Sequence, residues 1–251
     1  MNIEERLAQL KTAAPDTITE GVMLGTGLAD GYAVFDSPIG DVIVAFNLNG
    51  VSAVDIADSR AGDRFTGRFH RKIIQAEPPR GWTDGIRRAI ERGKPGTLPI
   101  DFRSVTDFQR QVLEEAARIP KGQVRPYLWL AQHVGRPNAA RAVGSTMARN
   151  PVPLIVPCHR VVRSDGHIGE YSLGGPHQKR TLLEHEGINP DLLEQLARRR
   201  VRFIGSDTTH IFCQPTCSNA RRITANHRVE FHAGGQAADA GYRPCKVCQP
   251  A

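Results

Sequence analysis

Apolar and polar positions alternate along residues 31–56, where GYAVFD, DVIVAF and VSAVDI form short β-rich runs. The turn-prone stretches SPIG and NLNG separate them, so the pattern predicts a β-meander. Farther along, the period lengthens to that of helices. GWTDGIRRAIERG reads as a helix closed by Gly93, and KPGTLPIDF as an extended connection. Thr106 stands at capping-box spacing from Gln109, and Phe108, Val112, Ala116 and Ile119 follow on one face. PYLWLAQHV predicts a short helix ending at Gly135. Asn138 is then placed to cap NAARAVGSTMAR, whose small residues let a backbone approach a partner closely. A tight GRP turn joins these two helices in a helix-turn-helix pattern. Pro176 suits the first position of a helix through Glu186, closed by Gly187, and NPDLLEQLARRR reads as a linker helix. No repeat or low-complexity segment interrupts this order.

Composition changes the picture little: 251 residues, 40% hydrophobic and 24% charged, make an ordinary globular chain of one large domain or two to three small ones. MNIEERLAQLKTAA carries acids and bases through its first helical turns, unlike a signal peptide. No apolar run approaches the roughly 20 residues of a membrane span, so a cytoplasmic protein with reduced thiols and no membrane partner is expected.

Charge changes it more. The net +7 is concentrated in two blocks. From Ala116 to Ser164 there are eight bases and no Asp or Glu: Arg118, Lys121, Arg125, Arg136, Arg141, Arg149, Arg160 and Arg163. From Arg198 onward nine bases face three acids, and the remainder of the chain is net acidic. Two basic blocks point to two polyanion-facing surfaces, nucleic acid first among the polyanions. Solvated arginines balancing distant acids are the competing explanation.

Cysteine placement adds chemistry. FCQPTC and PCKVC supply Cys213, Cys217, Cys245 and Cys248, two close pairs with 27 residues between them. Such pairs suit one tetrahedral Zn²⁺, and a segment of about 50 residues gains core from the metal. Two disulfides or inert thiols are the alternative. The fifth cysteine, Cys158, lies apart in PVPLIVPCHRVV. Taken alone, it reads as a buried structural thiol after an apolar run; its neighbour His159 is the natural base for making it a thiolate.

Five ordered blocks, RIPKGQV, YLWLA, VGRPNAARAVG, ARNPVPLIVPCHRVV and YSLGG…K…LLEHEG, closely resemble the O6-alkylguanine-DNA alkyltransferases, or methylated-DNA–protein-cysteine methyltransferases, over about Thr106–Gly187. The stretch holding SPIG and the meander resembles that family's small α/β domain, described as ribonuclease-H-like. Residues 202–251 independently resemble the zinc domain of Ada proteins, on TTHIFCQPTC and AADAGYRPCKVCQP. That domain usually precedes the alkyltransferase domain; here it follows, and the AraC-type helices of Ada are not expected. The resemblance implies an α+β fold: an N-terminal α/β domain (1–103), a helical winged or helix-turn-helix alkyltransferase domain (104–188), a linker helix (189–201) and a four-cysteine zinc domain (202–251).

It also implies roles. Cys158 accepts the alkyl group from guanine O6, once per molecule, because the thioether product is neither nucleophilic nor readily reversed. His159 takes the cysteine proton through a water, Glu186 orients and charge-balances the imidazole, Asn150 fastens the turn, and Tyr127 donates to guanine N3. Arg141 fills the gap left by a base flipped from the duplex, and Arg136, Arg149 and Ser145 accompany it on the DNA face, with minor-groove binding that reads no sequence. Val161, Tyr171, Ser172 and the Gly174–Gly175 loop line the base pocket, with Lys179 nearby. Double-stranded alkylated DNA is the expected partner of a monomer, and one Zn²⁺ on Cys213, Cys217, Cys245 and Cys248 the expected metal, without an organic cofactor. Cys213, by the same resemblance, is either a second acceptor for methyl groups from phosphotriesters or part of a purely structural module.

This sequence departs from the family in places. Leu128 stands where a glycine usually follows the tyrosine, Gln214 and Val247 replace frequent arginines, and His210 replaces a frequent Gly or Lys. A DNA-binding damage sensor or regulator with a structural zinc module is the competing function. Alkyltransferase-like binders lack the cysteine that Cys158 supplies. A zinc nuclease needs open coordination or carboxylate ligands, which four cysteines do not offer.

Overall fold

The computed structural model describes residues 16–250, so the charged turns of MNIEERLAQLKTAA lie outside the described residues. Helix α1 (Asp16–Thr26) leads into the expected meander. Strands β1 (Ala29–Phe35), β2 (Val42–Asn47) and β3 (Gly50–Ile56) pair antiparallel, and β4 (Lys72–Gln75) lies parallel to β1, in the order β3-β2-β1-β4. A parallel return needs a crossover, which α2 (Ala61–Phe69) supplies by burying Phe65 against Ala45 and Ala53. The sequence pattern marks neither α2 nor β4, because RFTGRF is arginine-rich and KIIQ is short.

The other sheet face, with Val42, Val44, Val51 and Val54, packs into the same core as α3 (Trp82–Arg92) and the helices beyond it. KPGTLPIDF runs extended along the edge: Val51 N–H donates to Pro99 O (2.9 Å) and Asp101 N–H to Val51 O (2.8 Å). Helix α4 (Asp107–Ala116) opens with the reciprocal box, Thr106 N–H to Gln109 Oε1 at 2.9 Å and Gln109 N–H to Thr106 Oγ1 at 3.3 Å. Next come the paired helices α5 (Tyr127–His133) and α6 (Ala140–Ala148). Asn138 does not cap α6. The intervening turn closes through Ala139 N–H to Arg136 O at 2.8 Å, so the helix begins after Ala139 with no side-chain cap.

Two-residue strands β5 (Arg125–Pro126) and β6 (Val161–Val162) pair in parallel and join the start of α5 to the cysteine-bearing segment. Helix α7 (Gly175–His185) holds Pro176 in its first turn and ends at Glu186. Helix α8 (Pro190–Arg198), capped by Asn189, is more than a linker: Leu193 packs with Val124 and Leu183, and Leu196 with Val201 and Ile204.

Strands β7 (Phe203–Ser206), β8 (Ile211–Cys213), β9 (Arg228–Phe231) and β10 (Arg243–Pro244) form a second sheet in the order β10-β8-β7-β9, followed on one face by α9 (Gly234–Asp239). The two-residue period of strands sorts its residues. Phe203, Phe212 and Phe231 pack with Ala237 of α9, whereas Ile204 and Cys213 face a cluster with the other three cysteines. Among the described residues, no helix is long and apolar enough to cross a membrane.

Candidate active site and four-cysteine centre

PVPLIVP is buried throughout but is not a strand: Pro153 bridges to Val156, and Leu154 takes a left-handed φ of 70°. The folded-back loop delivers Cys158 at the start of a 3₁₀ turn, Cys158–Arg160. Asn150 fastens this loop from inside. Its amide nitrogen donates to Val156 O (2.8 Å) and Cys158 Sγ (3.2 Å), and its oxygen accepts from Val152 N–H (3.1 Å). The N-terminal sheet supports it from outside, with Val54 N–H on Pro151 O and the Arg68 guanidinium on the carbonyls of Arg149 and Asn150. Burial raises the Cys158 thiol above its ordinary pKa, partly opposed by Asn150, Lys179 and Ser172. The resting sulfur is a thiol that needs a base.

His159 is that candidate. Its Nε2 lies 2.9 Å from Glu186 Oε1, which places the ring proton on Nε2 and leaves Nδ1 as the acceptor. Nδ1 is buried without a partner among the described residues, and no direct hydrogen bond joins the ring to Cys158. Burial lowers the His159 pKa despite Glu186, so the imidazole rests neutral. Burial also works against the Glu186 carboxylate, yet hydrogen bonds from His159 and Arg160 hold it at about 2.

Arg160 is the site residue that sequence reading misplaces. Counted among the DNA-facing bases, it is 1% exposed and donates to Glu186 through Nε (3.0 Å) and Nη2 (2.7 Å). Its remaining N–H groups reach the carbonyls of Arg92, Gly93 and Ile119. Glu186 Oε2 also accepts from Gly122 N–H at 2.9 Å. Arg125 is likewise buried, so it too leaves the expected basic surface.

Beside the sulfur lies a cavity of about 260 Å³. Tyr127, Gly144, Met147 and Ala148 wall one side, and Glu170, Tyr171 and Ser172 the other. Burial raises the phenols of Tyr127 and Tyr171, so both stay protonated. Val161 and Lys179 are outside this lining. Lys179, 1% exposed, donates from Nζ to the carbonyls of Val161, Ile168 and Glu170, which pins the Glu170–Ser172 wall. Burial lowers it to about 8. Leu128 faces away, into a separate cavity between α8 and the second sheet. Arg136, Arg141, Ser145 and Arg149 are exposed on and around α6.

In the C-terminal region the sulfurs of Cys213, Cys217, Cys245 and Cys248 lie within 4.8 Å of one another, all buried and unbridged. Tetrahedral Zn–S bonds of about 2.3 Å set sulfurs about 3.8 Å apart, so the donor set fits zinc. The thiols crowd one another: Cys248, next to it, pushes Cys213 up, while Cys248 falls to about 6. A divalent cation relieves that crowding. Backbone Gln214 N–H donates to Cys248 (3.3 Å) and Asn219 Nδ2 to Cys245 (3.4 Å), and burial raises Cys217, partly opposed by the Asn219 and Ala220 N–H groups. Cys213 receives no N–H donor among the described residues, and it borders a cavity of about 400 Å³ with Thr208, Thr224, Arg222 and His227. His210, where glycine is frequent, has a φ of 51°, the backbone region glycine enters most easily.

A family described as 6-O-methylguanine DNA methyltransferase, DNA binding domain, matches residues 107–188, and one described as metal binding domain of Ada matches residues 197–251. The methylated-DNA–protein-cysteine methyltransferase of Mus musculus is 56% identical over 173 residues, covering 62% of this chain and 81% of that protein. The bifunctional transcriptional activator/DNA repair enzyme Ada of Escherichia coli is 34% identical over 66% of this chain, which spans about half (48%) of that protein. The Mycobacterium tuberculosis O6-methylguanine methyltransferase structure superposes with a TM-score of 0.50 at 32% identity, over 62% of this chain and 92% of that one.

Proposed function

Since the chain belongs to the methylated-DNA–protein-cysteine methyltransferases and is an alkyl-transferring DNA-repair enzyme, we infer that Cys158 is its acceptor for the alkyl group of O6-alkylguanine. One observation carries this reading: Cys158 Sγ, held by Asn150, borders the small cavity, and the adjacent His159 is joined through Glu186 to Arg160 behind it. Ligand pockets usually run to roughly 300–1,000 Å³, and this one is in scale with a single flipped base.

The Cys158 proton passes through a water to His159 Nδ1, and Glu186 stabilises the imidazolium. The thiolate attacks the alkyl carbon, the S–C bond forms and the C–O6 bond breaks. Its electron pair stays on guanine, Tyr127 donates its proton at N3, and the proton held by the His159 imidazolium returns to the phenolate, so base, tyrosine and imidazole all end neutral. No organic cofactor enters. The resting thiol is raised and the resting imidazole lowered, so proton transfer from Cys158 to His159 is uphill in the resting chain. The double-stranded alkylated substrate meets α5 and α6, with Arg141 in the gap left by the base and Arg136, Arg149 and Ser145 on the backbone. The protein acts as a monomer, with residues 16–103 buttressing 104–188, and 189–201 joining them to 202–251.

Zinc on the four cysteines keeps Cys213 deprotonated without a base. Cys213 is also the sulfur least quieted by N–H bonds and the one that borders a cavity, which favours it as a second acceptor, for methylphosphotriesters. The test is peptide mass mapping of the zinc-loaded protein after incubation with DNA carrying each lesion. Methyl on Cys158 with loss of O6-methylguanine is expected. Unmodified Cys158 with the lesion intact overturns the main reading, and unmodified Cys213 after phosphotriester DNA leaves the zinc module structural.

A further inference from the structure

Among the described residues Arg125 is a buried cation with no carboxylate partner. It is 2% exposed; Nη1 donates to Val124 O (2.9 Å), Nη2 to Gln123 Oε1 (2.7 Å), and Nε has no partner among the described residues. Its guanidinium lies over the Trp129 ring, 5.5 Å from the centroid. Burial pulls its pKa down, and the charges acting the other way are Cys248, Cys217, Cys245 and Cys213. A lone buried charge is costly unless it is compensated, and four thiolates around Zn²⁺ would carry the net −2 that compensates it.

The same stretch is tied to the zinc module by hydrogen bonds. Trp129 Nε1 donates to the carbonyls of Cys248 and Gln249 at 3.0 Å each, and His133, stacked on Trp129, meets Gln249 Oε1 at 2.9 Å. Val124 N–H donates to Thr216 Oγ1 at 2.9 Å, between two ligands of the first pair. Arg221 donates to Gly122 O, and the N–H of that same Gly122 holds Glu186.

These contacts bracket the alkyl-transfer site. Arg125 sits two residues before Tyr127 and pairs in β5 with Val161, three residues after Cys158. We propose that the four-thiolate zinc centre is a working part of the O6-alkylguanine site, with Arg125 as the positioning residue that seats β5 and α5 against it and so places Tyr127 beside Cys158. The proposal rests on the alkyl-transfer reading and adds a coupling between two modules that the separate resemblances do not contain. Without zinc nothing fixes Cys248, Gln249 and Thr216, the groups that Trp129 and Val124 bond, and the anchor of α5 loosens.

The test uses the full chain, zinc-loaded and after chelation, together with Arg125→Met, Arg125→Lys and Trp129→Phe. Amide hydrogen exchange of residues 125–133 is read beside single-turnover transfer to Cys158 and the Kd for alkylated DNA. Chelation and Arg125→Met are expected to speed exchange across α5 and slow transfer about tenfold, the order seen for outer-shell groups of metal sites, with Kd little changed. Arg125→Lys should restore part of both, and Trp129→Phe should give a smaller loss of each while keeping the zinc. Unchanged α5 exchange and an unchanged transfer rate after zinc removal overturn the proposal. If chelation unfolds the chain, Arg125→Met and Trp129→Phe with zinc bound decide it by the same two measurements. Failure of the zinc-loaded wild type to methylate Cys158 would instead strike the underlying reading.

Discussion

At the scale of single residues, the site depends on one carboxylate. Glu186 balances Arg160 permanently and His159 when it is protonated, and it sits at about 2 in the folded chain against an ordinary 4.5. A carboxylate lowered in this way stabilises the fold fully above its unfolded pKa and loses that contribution as pH falls toward the folded value. Glu186 therefore contributes on the order of 3 kcal/mol above pH about 5, lost between there and pH about 2. Glu186→Gln leaves Arg160 buried without its counter-charge, a change expected to cost about 3–5 kcal/mol at pH 7. Transfer should slow by about 10²-fold or more as the imidazolium loses support. Urea titrations at pH 7 and pH 3 check the first claim, since the gap between variant and wild type must narrow in acid; quench-flow transfer checks the second. Cys158, His159 and Glu186 come into view in the sequence through the resemblance of the blocks around them, since alone they read as a buried thiol, a core histidine and a helix-end acid. The sequence hides Arg160, whose partners lie at Arg92, Gly93, Ile119 and Glu186. No local pattern links an arginine to carbonyls that only the fold brings together.

At the scale of elements, the end of α3 reaches into the chemistry. Gly93 closes that helix with a φ of 59°, as the sequence pattern predicts, but its setting adds a second demand. A Cβ there would stand 2.3 Å from Arg160 Nη2, while the Gly93 carbonyl accepts from Nη1. Gly93→Ala must push the guanidinium off Glu186. A loss of about 1–2 kcal/mol is expected from the left-handed backbone alone, with slower transfer from the displaced arginine. Thermal melts and single-turnover rates measure both, and unchanged transfer with a lowered Tm would confine Gly93 to capping. The elements legible in the sequence were those with local signatures: the meander with its turns, the capping box at Thr106, and the helix closed at Gly93. The elements it missed depend on distant partners. Helix α2 is arginine-rich and helical because the sheet receives Phe65, and the turn at 136–139 takes Asn138 away from α6 by a bond between Ala139 and Arg136.

For the whole molecule, charge must be counted by where it faces. Of the eight bases in the acid-free block, Arg125 and Arg160 serve the interior, Arg118 and Arg163 pair with Glu115 and Asp165, and Lys121 donates to the Glu91 carbonyl. Arg136, Arg141 and Arg149 make no ion pair among the described residues, and these three surround α6. DNA affinity should then fall with salt mostly through them. If Arg136 and Arg149 each neutralise one phosphate, Arg136→Ala and Arg149→Ala each lower the slope of log K against log salt by about 0.9. Arg141→Ala is expected to behave differently. A side chain that occupies the space of a flipped base stabilises the extruded state more than the encounter, so transfer slows more than binding weakens. Fluorescence anisotropy across a salt series, set beside single-turnover transfer for the same three variants, separates the roles. Equal loss of slope in all three, with transfer slowed only in proportion to affinity, would make Arg141 one more phosphate contact and leave base extrusion to other groups.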